Sequence, residues 1–194
     1  MRIIAGEFRS RKILPPAHDT TRPVTDRVKQ SLFDILTPWI DGARVYDCFA
    51  GTGSMGLESL SRGAAHATFF EADRSAAALL RKNIATLGVQ SRSTVVDRDL
   101  FRWFKSTPAP PQPADKANLI FLDPPYRFLT ERPDDLRRLG ERIAGHLTDD
   151  GVVVFRHDAR DSLDLPPLRA VDRRAYGGMA IELLAHVGGD HRRA

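Results

Sequence analysis

The chain has 194 residues, of which 42% are hydrophobic and 28% charged, a globular composition that excludes a disordered or collagen-like chain. This length suits one domain with a small appendage, and no apolar run approaches the ~18 residues that span a membrane. The formal net charge is +4, and the first 30 residues contain seven basic but only three acidic side chains. The positive excess therefore lies at the N-terminus, where a nucleic-acid partner is one interpretation and a solubilising surface the other.

Residues 1–40 are predicted to form an N-terminal appendage. Strand-like stretches at Arg2–Ile4 and Lys12–Leu14 indicate a small basic β-hairpin. Apolar residues then recur at helical spacing after Thr25, and Pro38 marks the end of that helix.

Residues 41–194 are predicted to alternate between strands and helices. The predicted strands are Arg44–Phe49, Ala67–Glu71, Ser93–Val96, Asn118–Leu122 and Gly151–Phe155. The predicted helices are Met55–Arg62, Ser75–Leu87, Leu100–Phe104 and one whose buried face carries Leu136, Leu139, Ile143 and Leu147. A β-hairpin formed by Leu168–Arg174 and Met179–His186 ends the chain. This alternation predicts an α/β fold, in which helices cover both faces of a mostly parallel sheet and ligands bind beyond the carboxyl ends of its strands.

A glycine-rich loop follows the first of these strands. Gly51, Gly53 and Gly56 fit the G-x-G-x-x-G spacing between a strand and a helix, and Glu71 closes the next strand. A carboxylate at that place could accept hydrogen bonds from both hydroxyls of a ribose. This spacing alone is compatible with a nicotinamide-dependent dehydrogenase, and a purely structural loop is the plainer alternative.

Two further carboxylates favour a different nucleoside cofactor. Asp47 lies inside the first strand, where it would repel a pyrophosphate but attract a sulfonium or an ammonium group. Asp99 follows the third strand and could accept a hydrogen bond from an adenine amine. The ordered set therefore suits S-adenosylmethionine better than a nicotinamide dinucleotide.

The fourth predicted strand, Asn118–Leu122, is followed directly by the segment Asp123-Pro124-Pro125-Tyr126. The two prolines remove two backbone donors, which leaves the Asp123 carboxylate and the Pro124 carbonyl as acceptors. An exocyclic amine of a nucleobase has two N–H donors and could bind both, while Tyr126 could stack on the base and contribute ~1–3 kcal/mol. Orientation of that amine beside an activated methyl donor would account for most of the catalysis. A proline-stiffened turn is the alternative interpretation.

The glycine loop, Glu71, Asp99 and the Asp-Pro-Pro-Tyr segment together resemble the class I S-adenosylmethionine-dependent amino-methyltransferases. That resemblance implies a Rossmann-like sheet of seven strands with an antiparallel last strand. Residues 22–33, RPVTDRVKQSLF, resemble the RPTxDRV(R/K)ExLF signature of the RsmD family, with departures at Val24 and Gln30. Members of that family methylate the N2 amine of one guanine in bacterial small-subunit (16S) ribosomal RNA.

The resemblance implies a role for each matching residue. The cofactor site would be lined by Asp47, Gly51, Gly53, Glu71 and Asp99. The guanine amine would be held by Asp123, Pro124, Pro125 and Tyr126. The border of the active site would contain Arg22, Thr25, Asp26 and Arg27, and the basic hairpin would bind RNA through Arg9, Arg11 and Lys12.

Other expectations concern the partners and the compartment. The single cysteine, Cys48, and the lack of an apolar signal sequence predict a cytoplasmic protein, and no ligand spacing predicts a metal. We expect a monomer that acts on 16S rRNA, free or within the 30S particle, without a membrane partner. The Asp-Pro-Pro-Tyr segment also suits a DNA adenine or cytosine amino-methyltransferase, and a non-catalytic ribosome-assembly factor that binds S-adenosylmethionine is the alternative outside enzymes.

Overall fold

Short apolar runs, each followed by an amphipathic helix, build a sheet of seven strands. The computed structural model describes residues 1–16, 25–110 and 112–188. The strands are β1 (Arg44–Cys48), β2 (His66–Phe70), β3 (Ser93–Val96), β4 (Ala117–Leu122), β5 (Leu147–Asp158), β6 (Leu168–Tyr176) and β7 (Met179–His186). The helices are α1 (Asp26–Leu36), α2 (Ser54–Ser61), α3 (Arg74–Leu87), α4 (Leu100–Ser106), α5 (Phe128–Glu131) and α6 (Pro133–His146).

The strand order is β3-β2-β1-β4-β5-β7-β6. Strands β1 to β5 are parallel, and β7 runs antiparallel to both of its neighbours. The predicted fold class, a Rossmann-like sheet with an antiparallel last strand, is therefore confirmed. Because the order reverses between β1 and β4, their carboxyl ends form a topological switch point, where open α/β sheets bind ligands.

A separate apolar core covers each face of the sheet. On one face, α1, α2 and α3 pack with the N-terminal segment around Phe33, Leu57 and Phe121. On the other face, α4 and α6 pack around Phe70 and Phe155. Within the described residues, no helix is both long and apolar enough to cross a membrane.

The predicted N-terminal hairpin is reduced to a single antiparallel bridge between Arg2 and Lys12. The intervening residues form turns rather than strands, while Ile3, Phe8 and Ile13 are buried in the core that contains α1 and α2. Burial of these three side chains, rather than a strand ladder, orders the segment. The predicted site residue Arg22 lies outside the described residues.

Two predicted element boundaries need correction, and one helix was missed. Leu147 does not extend the helical face of α6 but begins β5, because the backbone becomes extended there (φ −91°, ψ 140°). Phe49 does not end β1 but turns away from it with φ +62°. The short helix α5 was not predicted.

A buried carboxylate joins the N-terminal segment to the sheet. Glu58 of α2 accepts the backbone N–H groups of Ile4 and Ala5 at 2.8 and 3.0 Å. The same carboxylate pairs with Lys29 Nζ of α1 at 3.0 Å and with Arg62 Nε at 2.9 Å. The side chains of Glu58 and Lys29 are 0% and 3% exposed, so each is the partner that the other requires in the interior.

We predict that Glu58→Ala lowers the free energy of unfolding by about 3–5 kcal/mol, because it leaves the Lys29 ammonium buried and unpaired. Urea denaturation measures the effect. Glu131→Ala is the matched control, since Glu131 pairs with Arg127 on an exposed helix face and should cost no more than about 1 kcal/mol. A loss at Glu58 as small as that control would contradict the role of this carboxylate.

Candidate active site

The glycine loop between β1 and α2 is an open turn. Gly51 and Gly53 have φ of +56° and +86°, values that L side chains rarely adopt. A Cβ on Gly53 would lie 2.5 Å from Leu80 Cδ1, whereas a Cβ on Gly51 would meet nothing within 4 Å. Gly53 therefore permits close packing against α3, and Gly51 leaves one side of the backbone open to a ligand.

Glu71, directly after β2, holds this loop in place. Its Oε2 accepts the Gly51 N–H at 2.7 Å, and its Oε1 accepts the Asp73 N–H at 2.8 Å. Burial raises the pKa of Glu71, and these two backbone donors oppose that rise. The structure thus places the Glu71 carboxylate beside the glycine loop.

Asp47 is a buried acid on the face of β1 that packs against α2. Its Oδ2 accepts the Gly56 N–H at 2.8 Å. Burial raises the pKa of Asp47 to about 8, because one backbone donor does not replace the water that the carboxylate has lost. A cationic ligand close to Asp47 would favour its ionised form.

Asp123 forms a bidentate ion pair with Arg156, which the sequence analysis did not identify. Arg156 Nε donates to Asp123 Oδ1 at 2.6 Å, and Arg156 Nη2 pairs with Oδ2. The register explains the contact, because Leu122 of β4 lies opposite Phe155 of β5 and the next residues along are Asp123 and Arg156. Burial raises the pKa of Asp123, while the guanidinium opposes this and favours the ionised carboxylate.

One cavity brings the two halves of the predicted site together. It is lined by Asp47 and Gly51 from the glycine-loop region and by Asp123 and Arg156 from the ends of β4 and β5. Met1 and Pro16 of the N-terminal segment also line it. This arrangement can hold a cationic ligand beside Asp47 and present the Asp123 carboxylate to a hydrogen-bond donor.

Tyr126 lines a second and larger cavity of about 650 Å³. Thr25, the N-cap of α1, contributes to its wall, as do Asp158 at the end of β5 and Met179 at the start of β7. The carbonyl oxygens of Pro125 and Tyr126 accept the N–H groups of Phe128 and Leu129 at 2.8 and 3.1 Å, which turns the chain into α5.

Three further predicted site residues, Asp99, Asp26 and Arg27, lie outside these two cavities. Asp99 is exposed as the N-cap of α4, and its Oδ1 accepts the Arg102 N–H at 2.9 Å. Asp26 pairs with Arg2 on the surface. Arg27 lines a shallow groove with Arg174.

The basic residues of the bridged N-terminal segment are exposed, but they are not equivalent. Arg11 donates to the Thr86 carbonyl at 3.3 Å and lies 5.9 Å from the Phe8 ring centre, so it also packs this segment against α3. Arg9 and Lys12 are exposed on the same segment.

An aromatic cluster that the sequence analysis missed lies near the exposed Asp99. Phe49 and Phe101 have ring centres 6.1 Å apart, and Phe128 is 6.1 Å from Phe49. The guanidinium of Arg132 covers the Phe101 ring at 4.2 Å. Their positions after β1, β3 and β4 were visible in the sequence, but nothing there showed that the three rings meet. In the described part of the chain, no group of three or more His, Cys, Asp or Glu side chains could hold a metal ion.

Comparisons with known proteins agree on one family. Residues 1–185 match the family model described as "Conserved hypothetical protein 95". The chain is 42% identical over 169 residues to Ribosomal RNA small subunit methyltransferase D of Escherichia coli, covering 86% of this chain and 79% of that protein. It is 36% identical over 160 residues to YlbH of Bacillus subtilis, covering 81% and 83%. The solved structure of yhhF from Escherichia coli superposes with a TM-score of 0.81 at 33% identity, covering 96% and 97%. The chain therefore belongs to this family, the RsmD family whose signature its N-terminus resembles.

We predict that the affinity for S-adenosylmethionine falls as the pH is lowered below 8. A cationic ligand favours ionised Asp47, whose pKa in the free protein is about 8, so binding at lower pH must release a proton. The loss should approach about tenfold per pH unit. Isothermal titration calorimetry between pH 6 and 9, in buffers of different ionisation enthalpy, measures both the affinity and the proton release.

Asp47→Asn is the control, because an amide does not titrate in this range. It should bind more weakly than the wild-type protein at pH 9 and show a flatter pH profile. An unchanged profile in Asp47→Asn would assign the proton to another group.

Proposed function

We propose that this member of the RsmD family transfers a methyl group from S-adenosylmethionine to the exocyclic N2 amine of a guanine in 16S ribosomal RNA. The observation that carries the proposal is that Asp123 and Arg156 share one cavity with Asp47 and the glycine loop. A buried acid that favours a cation thus lies in the same cavity as an acceptor suited to an amine. The name of the Escherichia coli relative supports the rRNA substrate.

The residues present fit the cofactor. Asp47 would attract its positive charge, the open backbone at Gly51 would admit it, and Glu71 would accept hydrogen bonds from its ribose. Asp99 would accept a hydrogen bond from the adenine amine. Bound S-adenosylmethionine would supply a methyl group already activated by a sulfonium.

The catalytic work of the protein is to orient the amine. The Asp123 carboxylate and the Pro124 carbonyl would each accept one N–H of the guanine amine, so that the nitrogen lone pair faces the methyl donor. Arg156 keeps the Asp123 carboxylate ionised and in one orientation through two bonds. The bound cofactor would supply the methyl group and keep the sulfur as a neutral thioether. The amine would lose one proton to water after transfer, so the protein needs no strong base.

The flanking residues would bind the RNA. Tyr126 would stack on the target base, with Pro125 fixing the direction of the turn, and Thr25 would border the entrance. Arg9, Arg11 and Lys12 would contact phosphates together with Arg27, and Asp26 would orient Arg2 beside them. We further propose that the protein acts as a monomer in the cytoplasm, on 16S rRNA free or within the 30S particle.

Asp123→Ala should abolish methyl transfer to unmodified small-subunit rRNA or its particle, with little change in the affinity for S-adenosylmethionine, because it removes an acceptor for the amine. The change also removes a carboxylate that pairs with Arg156, so the melting temperature of the variant is measured alongside its activity. Labelled cofactor, digestion to nucleosides and mass spectrometry identify the product as N2-methylguanosine. Asp149→Ala, an exposed change elsewhere on β5, is the control and should retain activity. Label on N6-methyladenosine would overturn the base assignment. Tight cofactor binding without label on any RNA would favour the DNA methyltransferase or the binding factor.

The double variant Arg9→Gln/Lys12→Gln should weaken RNA binding and flatten its dependence on salt. Each lost phosphate contact lowers the slope of log K against log salt by about 0.7 for single strands. Arg137→Gln/Arg138→Gln on α6 removes the same charge from a surface where both arginines already pair with aspartates, and it should leave the slope unchanged. Equal slopes in the two variants would place the RNA on another surface.

A further inference from the structure

The second cavity has the size and the walls of a nucleobase site. Its volume of about 650 Å³ lies in the range of small-molecule pockets. Three parts of the chain enclose it: the start of α1 with Thr25 and Val28, the segment after β4 with Tyr126, and the ends of β5 and β7. Tyr176, which also lines the cavity, shares a hydrogen bond of 3.1 Å with the Ser31 hydroxyl of α1. This bond joins α1 to the β6–β7 hairpin across the cavity wall.

Two residues of the cavity wall, Asp158 and Met179, are close neighbours of Arg156. Asp158 comes two residues after Arg156 on β5, so both side chains point to the same face of the sheet, about 6.6 Å apart along the strand. Met179 lies opposite Asp158 in the strand register, and its Sδ is 3.6 Å from Arg156 Nη1. Arg156 in turn binds Asp123. The register therefore places Asp158 on the face of the sheet that carries the Arg156–Asp123 pair.

Asp158 and Arg160 form a fixed acceptor–donor pair in the cavity wall. Asp158 Oδ1 accepts both the backbone N–H and the Nε–H of Arg160 at 2.9 Å, and Oδ2 accepts Nη2–H at 2.9 Å. These bonds lower the pKa of Asp158 to about 2, so the carboxylate accepts hydrogen bonds and does not donate them. The Ala159 N–H donates to the Gly178 carbonyl at 3.0 Å, which ties this loop to the β6–β7 turn.

We propose that Asp158 and Arg160 read the Watson–Crick edge of the target base as guanine, with Asp158 accepting the N1–H and Arg160 donating to O6. The inference rests on the proposed function, because it assumes that the N2 amine is held at Asp123. Adenine has an acceptor at N1 and a donor amine in place of O6. Its N1 would therefore meet the acceptor Asp158, and its amine would meet the donor Arg160. A flipped base is recognised in this way by hydrogen bonds to its Watson–Crick edge and by stacking, here on Tyr126.

This assignment supplies a selectivity that Asp123 lacks. The acceptors of the Asp-Pro-Pro-Tyr segment suit any exocyclic amine. A carboxylate in a binding pocket that meets no donor loses a charged hydrogen bond, and sites built on such bonds can reject analogues by factors of about 10⁴ or more. Asp158 and Arg160 are therefore specificity-determining residues rather than catalytic ones.

The test uses RNA in which the methylated guanine, once mapped by mass spectrometry, is replaced by 2-aminopurine. This base keeps the 2-amino group but lacks both the N1–H and O6. The wild-type enzyme should prefer guanine by at least 100-fold in kcat/KM. Asp158→Ala should reduce that preference to less than 10-fold, mainly by lowering the rate on guanine, with unchanged affinity for S-adenosylmethionine.

Two further variants separate base recognition from folding. The Arg160 side chain is 89% exposed, so Arg160→Ala should keep the wild-type melting temperature and lose part of the preference for guanine. Asp164→Ala, an exposed change in the segment that follows, should keep the whole preference.

The outcomes distinguish this inference from the function on which it rests. A wild-type enzyme that forms N2-methylguanosine but methylates 2-aminopurine equally well would overturn the inference and leave the function standing. An unchanged preference in both Asp158→Ala and Arg160→Ala would do the same. A wild-type enzyme that forms no N2-methylguanosine in natural rRNA would overturn both.

Discussion

A bidentate ion pair between Arg156 and Asp123 sets the charge balance at the carboxyl edge of the sheet. Asp47 and Asp123 lie on the adjacent strands β1 and β4 and line one cavity, where two uncompensated carboxylates would each raise the pKa of the other. Arg156 compensates the charge of Asp123. Asp47 retains a raised pKa and gains most from a ligand that carries its own positive charge. The two acids are chemically alike, and in the proposed function their different surroundings would suit them to different tasks.

The buried cluster around Glu58 determines what surrounds that edge. By binding Ile4, Ala5 and Lys29, it fixes the start of the chain and α1 against α2. Met1 consequently lines the cavity of Asp47, and Thr25 lines the cavity of Tyr126. A structural ion pair thus holds in place part of the wall of both cavities.

Features that depend on neighbouring residues were predictable from the sequence, whereas contacts between distant strands were not. The glycine loop and the Asp-Pro-Pro-Tyr segment each carry their signal within a few residues, and alternating elements predict a sheet that brings them to one edge. Arg156 has no such signal, because its partner is 33 residues away and the contact depends on the register of β4 with β5. The predicted N-terminal hairpin is wrong for a related reason. Buried apolar contacts order that segment, and only one bridge of a strand ladder forms.

Orienting an amine and selecting one base require different side chains, and we propose that each of the two cavities supplies one of these sets. The acceptors at Asp123 and Pro124 can orient an amine but cannot distinguish guanine, adenine and cytosine, because all three offer an exocyclic N–H₂. Selecting one of these bases requires side chains that act only as donors or only as acceptors. They must also be held rigidly at a distance from the reacting nitrogen. The end of β5 meets this requirement, because Arg156 and Asp158 extend from one strand and the β6–β7 turn holds the loop beyond them. A strand that contributes to both cavities keeps the spacing between catalysis and recognition constant.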